Sequence, residues 1–317
     1  KKMKIFFRES NFLTLNYYQP ERIRDGIMNS VTHSCNIGCN IVIPEVDDIQ
    51  MYTREVYHRA IPMYRDYGFQ HLEFSHLTQL SPEDGLTLRE RCRECGISPW
   101  SVHSEHLNEG TGVNEYLATQ RHCAEVADAL DARVMVCHLP NLSPRFDFER
   151  AKDVLTRLAD VTGEFNLKLA IENCLRGDAD FIIRLVDAIG RPDVGINCDT
   201  GHAFLYETHD VGGLIRRFGR RLFTTHLQDN FGENDDHQMP GLGYIDWHET
   251  LRAIRETGYA GPLMMEMTGG AVKSRRTVPQ LRKMDIDREL VCARAYLEHV
   301  WKKTIEEKKE EVCACVQ

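Results

Sequence analysis

Four side chains able to bind a metal close four successive apolar runs of this 317-residue chain. Glu172 lies near the end of LKLAIENC (167–174) and Asp199 within VGINCDTGH (194–202). His226 lies in LFTTHLQDN (222–230) and Glu266 in GPLMMEMTG (261–269). The two-residue period of a strand puts them on the same faces as Ala170, Asn197, Thr224 and Met264. The alternate positions, Leu169, Ile171, Phe223, Leu227, Leu263 and Met265, are apolar enough to pack under helices. Taken singly, an acidic residue at a strand end is a helix cap or a surface charge, and a histidine is a core residue. Together the four would aim at one volume. Three carboxylates cannot share that volume without a cation, because like charges raise one another's pKa. Three oxygen ligands and one imidazole suit Mn²⁺, Mg²⁺, Co²⁺ or Zn²⁺.

More imidazoles point the same way. His103 and His138 end SPWSVHSE (98–105) and RVMVCHL (133–139), His202 follows Asp199, and His237 lies in the loop after 222–230. As a group they read as substrate donors or additional ligands. His33 and His76, near the ends of IMNSVTH (27–33) and HLEFSH (71–76), are weaker candidates. His58, His122, His248 and His299 fall in helical segments.

The elements that would position these residues alternate along the chain. The eight apolar runs above are candidate strands. Segments with helical periodicity lie between them, among them 113–132, 148–165 and 245–259. Eight β/α units predict a (β/α)8 TIM barrel, whose active site lies at the carboxyl ends of the strands. The domain reading is an N-terminal extension (1–26), a metal-dependent barrel (27–300) and a charged, frayed helical tail (301–317). The link after the first run, CNIGCNIVIPEVDD, is long and apolar, and reads as an extra strand or a lid.

Bulk properties narrow the function. A hydrophobic content of 42% supports a sizeable core, and a net charge of −9 argues against nucleic acid as a partner. KKMKIFF is too short for a signal peptide, and no run approaches membrane-spanning length. A cytoplasmic location is expected. Eleven cysteines include Cys35/Cys39 and Cys92/Cys95, but without two zinc-spaced pairs they read as structural thiols. Cys137, Cys174, Cys198 and Cys292 sit in apolar strands or helices.

The motifs GINCDTGHAF, THLQDN followed by DDHQMPGLGYIDW, AIENC and PLMMEM resemble the xylose isomerase-like TIM-barrel superfamily. Within it they are most similar to the sugar-phosphate isomerase/epimerase branch, whose domain is shared with endonuclease IV. The resemblance runs from about residue 65 to 270. It implies one divalent ion, Mn²⁺ first among the four above, held by Glu172, Asp199, His226 and Glu266. It implies that Glu172 and Glu266 act as acid and base on opposite sides of a small sugar, through an enediolate. His202 would contact substrate oxygens, with His103, His237 and Arg176 at the rim. Apart from Thr268-Gly-Gly270 there is no phosphate cradle, so a sugar phosphate is not favoured over a free sugar or glycoside. A homo-oligomer is expected, and the unmatched N-terminal region is compatible with a partner subunit.

Two other activities share the scaffold. A lyase or dehydratase acting on a keto-sugar, inosose or C-glycoside would use the same enolate, with a glutamate or His138 as general acid. An endonuclease IV-like trinuclear zinc nuclease would need nine ligands. His103, His138, Glu172, Asp199, His202, His226, Asp235, His237 and Glu266 could supply them. The acidic charge balance and the GLGYIDW loop favour sugar chemistry. A non-catalytic barrel would be expected to have lost one or more of the four ligands.

Overall fold

The computed structural model describes residues 36–41, 52–105, 111–140, 147–267 and 286–316. Eight parallel strands are β1 (Ile37–Asn40), β2 (His71–Ser75), β3 (Ser98–His103), β4 (Val134–His138), β5 (Lys168–Glu172), β6 (Val194–Asp199), β7 (Leu222–His226) and β8 (Leu263–Met265). The helices are α1 (Arg54–Asp66), α2 (Pro82–Cys95), α3 (Val113–Leu130), α4 (Phe148–Gly163), α5 (Ala179–Ile189), the single turn α6 (Thr200–His202), α7 (Val211–Phe218), α8 (Trp247–Glu256) and α9 (Ile286–Val316). The strand order is β7-β6-β5-β4-β3-β2-β1-β8. A parallel bridge between Leu227 and Met265 joins the two ends of this order. There Leu227 N donates to Met264 O (2.8 Å) and Glu266 N to Leu227 O (3.2 Å). The Thr225 hydroxyl completes the join by accepting from Met264 N at 3.0 Å. This is the (β/α)8 barrel that the alternation of the sequence predicts.

Short capping residues set where the helices start. Ser81 and Asp84 form a reciprocal capping box at α2. Asp147, Asp210 and Asp246 accept the backbone N–H three residues on at α4, α7 and α8. The core lies between strands and helices. Leu169, Ile171, Leu227, Leu263 and Met265, expected under helices, are all buried in it.

Three expectations change. The predicted first strand, 27–33, lies outside the described residues, as does the 1–26 extension. The strand that pairs with both β2 and β8 is Ile37–Asn40, inside the link read as an extra strand or a lid. Gly38 weakens its strand signal, yet a Cβ there would lie 2.1 Å from Met264 Sδ, so a larger residue would have to displace the Met264 side chain. Second, Phe223 is not under a helix. Ile196 pairs with Leu222 and Asn197 with Thr224, so Phe223 is the extra residue of a bulge. It packs with Trp100 against Val134, Val136 and Ala170. Gly195 leaves the room, since a Cβ there would lie 2.5 Å from the Phe223 ring. Third, α9 runs through residue 301 without a break. Leu290, Leu297 and Val300 are buried in it, and so is Thr304 beyond the expected boundary.

Cys39, Cys92, Cys95, Cys123, Cys137, Cys174, Cys198 and Cys292 are free thiols. Cys39, Cys92, Cys123, Cys137 and Cys198 are buried, whereas Cys292 is exposed on α9. No described helix is long and apolar enough to cross a membrane.

Candidate active site at the barrel mouth

Strand register delivers the site residues to one level. Glu172 pairs with His138 on one side and Asn197 on the other. Asp199 pairs with His226, and Glu266 follows β8 directly. One ligand atom from each of Glu172, Asp199, His226 and Glu266 lies within 4.8 Å of the others. His226 Nδ1 is 2.8 Å from Glu172 Oε2 and 3.2 Å from Glu266 Oε2. Even so, His226 Nδ1 and Glu266 Oε2 are buried atoms with no hydrogen-bond partner of good geometry. Buried orphan atoms are costly. A cation accepting their lone pairs removes that cost, so these residues fit a divalent metal.

The charges agree. Burial pushes the Asp199 carboxyl up to about 7, against the pull of His202. Burial also opposes ionisation of Glu172, but His226 and His138 hold it well below the usual carboxylate range. Burial opposes ionisation of Glu266 as well, but His226 and His237 together hold it below the usual carboxylate range. Buried carboxylates this close depend on nearby positive charge, which a cation can supply.

Asp199 is also a cap. Its Oδ1 accepts from His202 N at 2.6 Å and so starts α6. Asn173 fixes its backbone from both sides, accepting from Asp199 N (3.0 Å) and donating to Asp199 O (2.9 Å). Gln228 Nε2 donates to Asp199 Oδ1 at 3.1 Å and to Asp235 Oδ1 at 3.0 Å.

A fifth carboxylate, absent from the sequence expectations, supports His226 from behind. Glu73 on β2 is fully buried, and its Oε1 lies 2.9 Å from His226 Nε2. Ser101 Oγ donates to Glu73 Oε2 at 2.6 Å. A carboxylate on the far nitrogen fixes the ring and leaves Nδ1 as the ligating atom. The signal was present in HLEFS, where Glu73 alternates with Leu72 and Phe74 and must face inward.

The other predicted residues converge on a cavity of about 240 Å³ above this cluster. His103, His138, His202 and His237 all line it, with Glu172 and Glu266. His138 Nε2 is 3.1 Å from Glu172 Oε1. His202 Nδ1 is 3.0 Å from Asn173 O, and its Nε2 is 3.3 Å from Asp235 Oδ2. His237 Nε2 is 3.0 Å from the same oxygen. Burial works against the charge of His237, but Asp235 raises it to about 9. Arg176 is the exception. It is exposed in the turn before α5 and does not line the cavity, because the turn closes on Asp178, which accepts from Cys174 N and Leu175 N.

The loop carrying Asp235 and His237 is clamped by the PGLGYIDW run. Asp229 accepts from Trp247 Nε1 at 2.7 Å, Gly241 N at 3.0 Å and Ile245 N at 3.2 Å. Asp229 and Gln238 exchange two backbone hydrogen bonds across the loop. Gly243 must be glycine, since a Cβ would lie 2.2 Å from Asn230 O. His237 itself is held at φ 46°, a left-handed backbone rare outside glycine. Thr268-Gly-Gly270 lies outside the described residues.

Comparison with known proteins agrees with this architecture. A D-psicose 3-epimerase from Enterocloster bolteae is 32% identical over 169 residues, which is 49% of this chain and 54% of that protein. The chain spans between 34% and 65% of the length of the first curated relatives it matches. The structure of an L-ribulose 3-epimerase superposes with a TM-score of 0.71 at 18% identity, covering 88% of this chain and 98% of that one. A structure of the IolI protein with a bound zinc atom superposes with a TM-score of 0.64 at 18% identity, covering 84% and 99%. At these identities the structures speak for the fold alone. A family model described as xylose isomerase-like TIM barrel matches residues 62–285, and the chain belongs to that family.

Proposed function

We propose that this chain is a divalent-metal-dependent isomerase or epimerase of a small sugar, acting by proton abstraction next to a carbonyl. One observation carries the reading. Glu172 and Glu266 line the same cavity and bracket His226 Nδ1, each with an oxygen within 3.2 Å of it. Two carboxylates so placed can serve the two faces of one substrate. One takes the proton from the carbon beside the carbonyl, giving an enediolate. The other returns a proton to the opposite face in epimerisation, or to the neighbouring carbon in isomerisation. A divalent cation bound by Glu172, Asp199, His226 and Glu266 would polarise the carbonyl and stabilise the negative charge that develops on it. Asn197 Nδ2 donates to Glu172 Oε2 at 2.7 Å, which orients this carboxylate. His202 and His237, both at the cavity wall, are placed to hold substrate hydroxyls. Similarity to a D-psicose 3-epimerase supports the substrate class.

The test is turnover of the manganese-loaded protein on ketoses, 3-keto-glycosides and inososes in D₂O. Deuterium entering at a single carbon is the expected result. It should vanish with chelation and with Glu172→Gln or Glu266→Gln. Loss of a β-substituent after deuterium entry would assign the lyase outcome instead. Turnover that persists in either glutamate variant would overturn the acid–base assignment.

A specific observation favours one second reading. His103, His138 and Glu172 form a further candidate ligand group, and His202, Asp235 and His237 another. Three ions bound side by side would suit phosphodiester cleavage. Metal analysis separates the two readings: one ion per chain supports sugar chemistry, and three zinc ions with cleavage of abasic DNA support the nuclease.

A further inference from the structure

The cavity has a second wall that the proton-transfer reading does not use. It is built at the ends of β2 and β3, where Ser75 pairs with His103. In an eight-stranded barrel of this order, those strands lie across the mouth from β6 and β7. The wall consists of His76, Ser104 and Glu105, all of which line the cavity.

Each carries a sign of being held for a ligand. Ser104 is 4% exposed, and its Oγ is buried without a hydrogen-bond partner, while its backbone N is spent on Val136 O. A hydroxyl left unpaired in a polar cavity is a free donor and acceptor. Glu105 is oriented by Thr78 Oγ1, which donates to its Oε1 at 3.0 Å. His76 has φ 53°, a left-handed conformation that costs energy outside glycine. Tyr52 lies against its ring at 4.1 Å between centroids, and Glu105 Oε1 is 4.0 Å from its Nδ1.

The charge of the cavity limits what this wall can take. His76, Ser104 and Glu105 bring no Lys or Arg to this wall, and Glu105 adds a carboxylate on the side away from the metal ligands. A phosphate group docked there would meet like charge. Sugar hydroxyls would find an acceptor in Glu105, a donor and acceptor in Ser104 and a ring nitrogen in His76. We infer that His76, Ser104 and Glu105 form a hydroxyl-recognition subsite that selects an unphosphorylated polyhydroxy substrate. The inference rests on the sugar reading above and deepens it.

The test is equilibrium binding of D-fructose, D-tagatose, D-ribulose and D-fructose 6-phosphate to the full manganese-loaded chain, by calorimetry, beside turnover in D₂O. The wild type should bind at least one free ketose, and the 6-phosphate more weakly than D-fructose. Ser104→Ala and Glu105→Gln should each weaken the free ketoses by about tenfold. Manganese affinity should stay unchanged in both. Glu105→Gln should strengthen the 6-phosphate, a change of opposite sign that general damage to the site does not produce. His76→Gly relieves the backbone strain while removing the ring, so it should be stably folded yet bind more weakly. A 6-phosphate bound as tightly as D-fructose overturns the inference. So do unaltered affinities in the variants, or no ketose binding by the wild type. Weakened binding in the variants without turnover by any form upholds the subsite and sinks the isomerase reading.

Discussion

Glu73 offers a graded test of how the metal centre is assembled. Its Oε2 accepts from two donors, His226 Nε2–H at 3.1 Å and the Ser101 hydroxyl at 2.6 Å. In Glu73→Gln an amide oxygen in the place of Oε2 can still accept from both His226 and Ser101. What is lost is the charge assistance. A hydrogen bond to a charged group contributes about 1 kcal/mol more than a neutral one, so metal affinity should fall roughly fivefold. In Glu73→Ala the imidazole loses its partner and its preferred tautomer, and the affinity should fall roughly a hundredfold. Competition against a chelating dye at fixed pH measures both dissociation constants. The order wild type, Gln, Ala is the expected result. Equal affinity in wild type and Ala would refute the claim that Glu73 holds His226 for the metal. A Gln variant as weak as Ala would show that charge, rather than ring orientation, is what Glu73 provides.

Other consequences are open to measurement. Trp247→Phe removes the indole donor from buried Asp229, at a cost of about 1.5–3 kcal/mol, so Tm should drop by roughly 2–5 °C in thermal melts while the fold persists. Gly243→Ala should displace the loop carrying Asp235 and His237, because its Cβ would overlap Asn230 O, and should lower turnover more than it lowers Tm. Burial raises the Asp178 carboxyl to about 7, above its unfolded value of about 3.9. The folded chain thus holds that proton more tightly. The associated stability is complete below about pH 4 and is lost as pH rises through about 7, by up to about 4 kcal/mol. Urea unfolding between pH 5 and 8 should show a smaller loss in Asp178→Asn, whose side-chain oxygen still accepts from Cys174 N and Leu175 N.

Much of the site is legible in the sequence because strand periodicity is strict. Glu172, Asp199, His226 and Glu266 could be placed on one level once β5 to β8 were recognised as apolar runs. Where that pattern breaks, the reading breaks with it. The bulge at Phe223 inserts one residue, so the two-residue alternation fails from Leu222 to Thr224. The β1 segment reads as an extra strand or a lid rather than as the first barrel strand, because Gly38 dilutes the apolar signal of a four-residue strand. Glu73 was legible but overlooked, since a single carboxylate mid-strand carries meaning only when its partner, 153 residues away, is known. Arg176 illustrates the reverse error, because sequence proximity to Glu172 says nothing about which way a turn points. The boundary at 301 rests on charge composition, which does not reveal that Thr304 on α9 is still buried.

The join between β7 and β8 differs from every other in the ring. Its neighbours are zipped by three or more residue pairs, whereas here a single bridge and the Thr225 hydroxyl hold the cylinder shut. Two of the four ligand residues stand on opposite lips of this gap, with His226 at the end of β7 and Glu266 just past β8. An ion gripped by both would act as a rivet across the weakest part of the hoop. The group that serves the chemistry would then also keep the barrel from unrolling, and a chain stripped of its metal would lose shape first where it also loses activity.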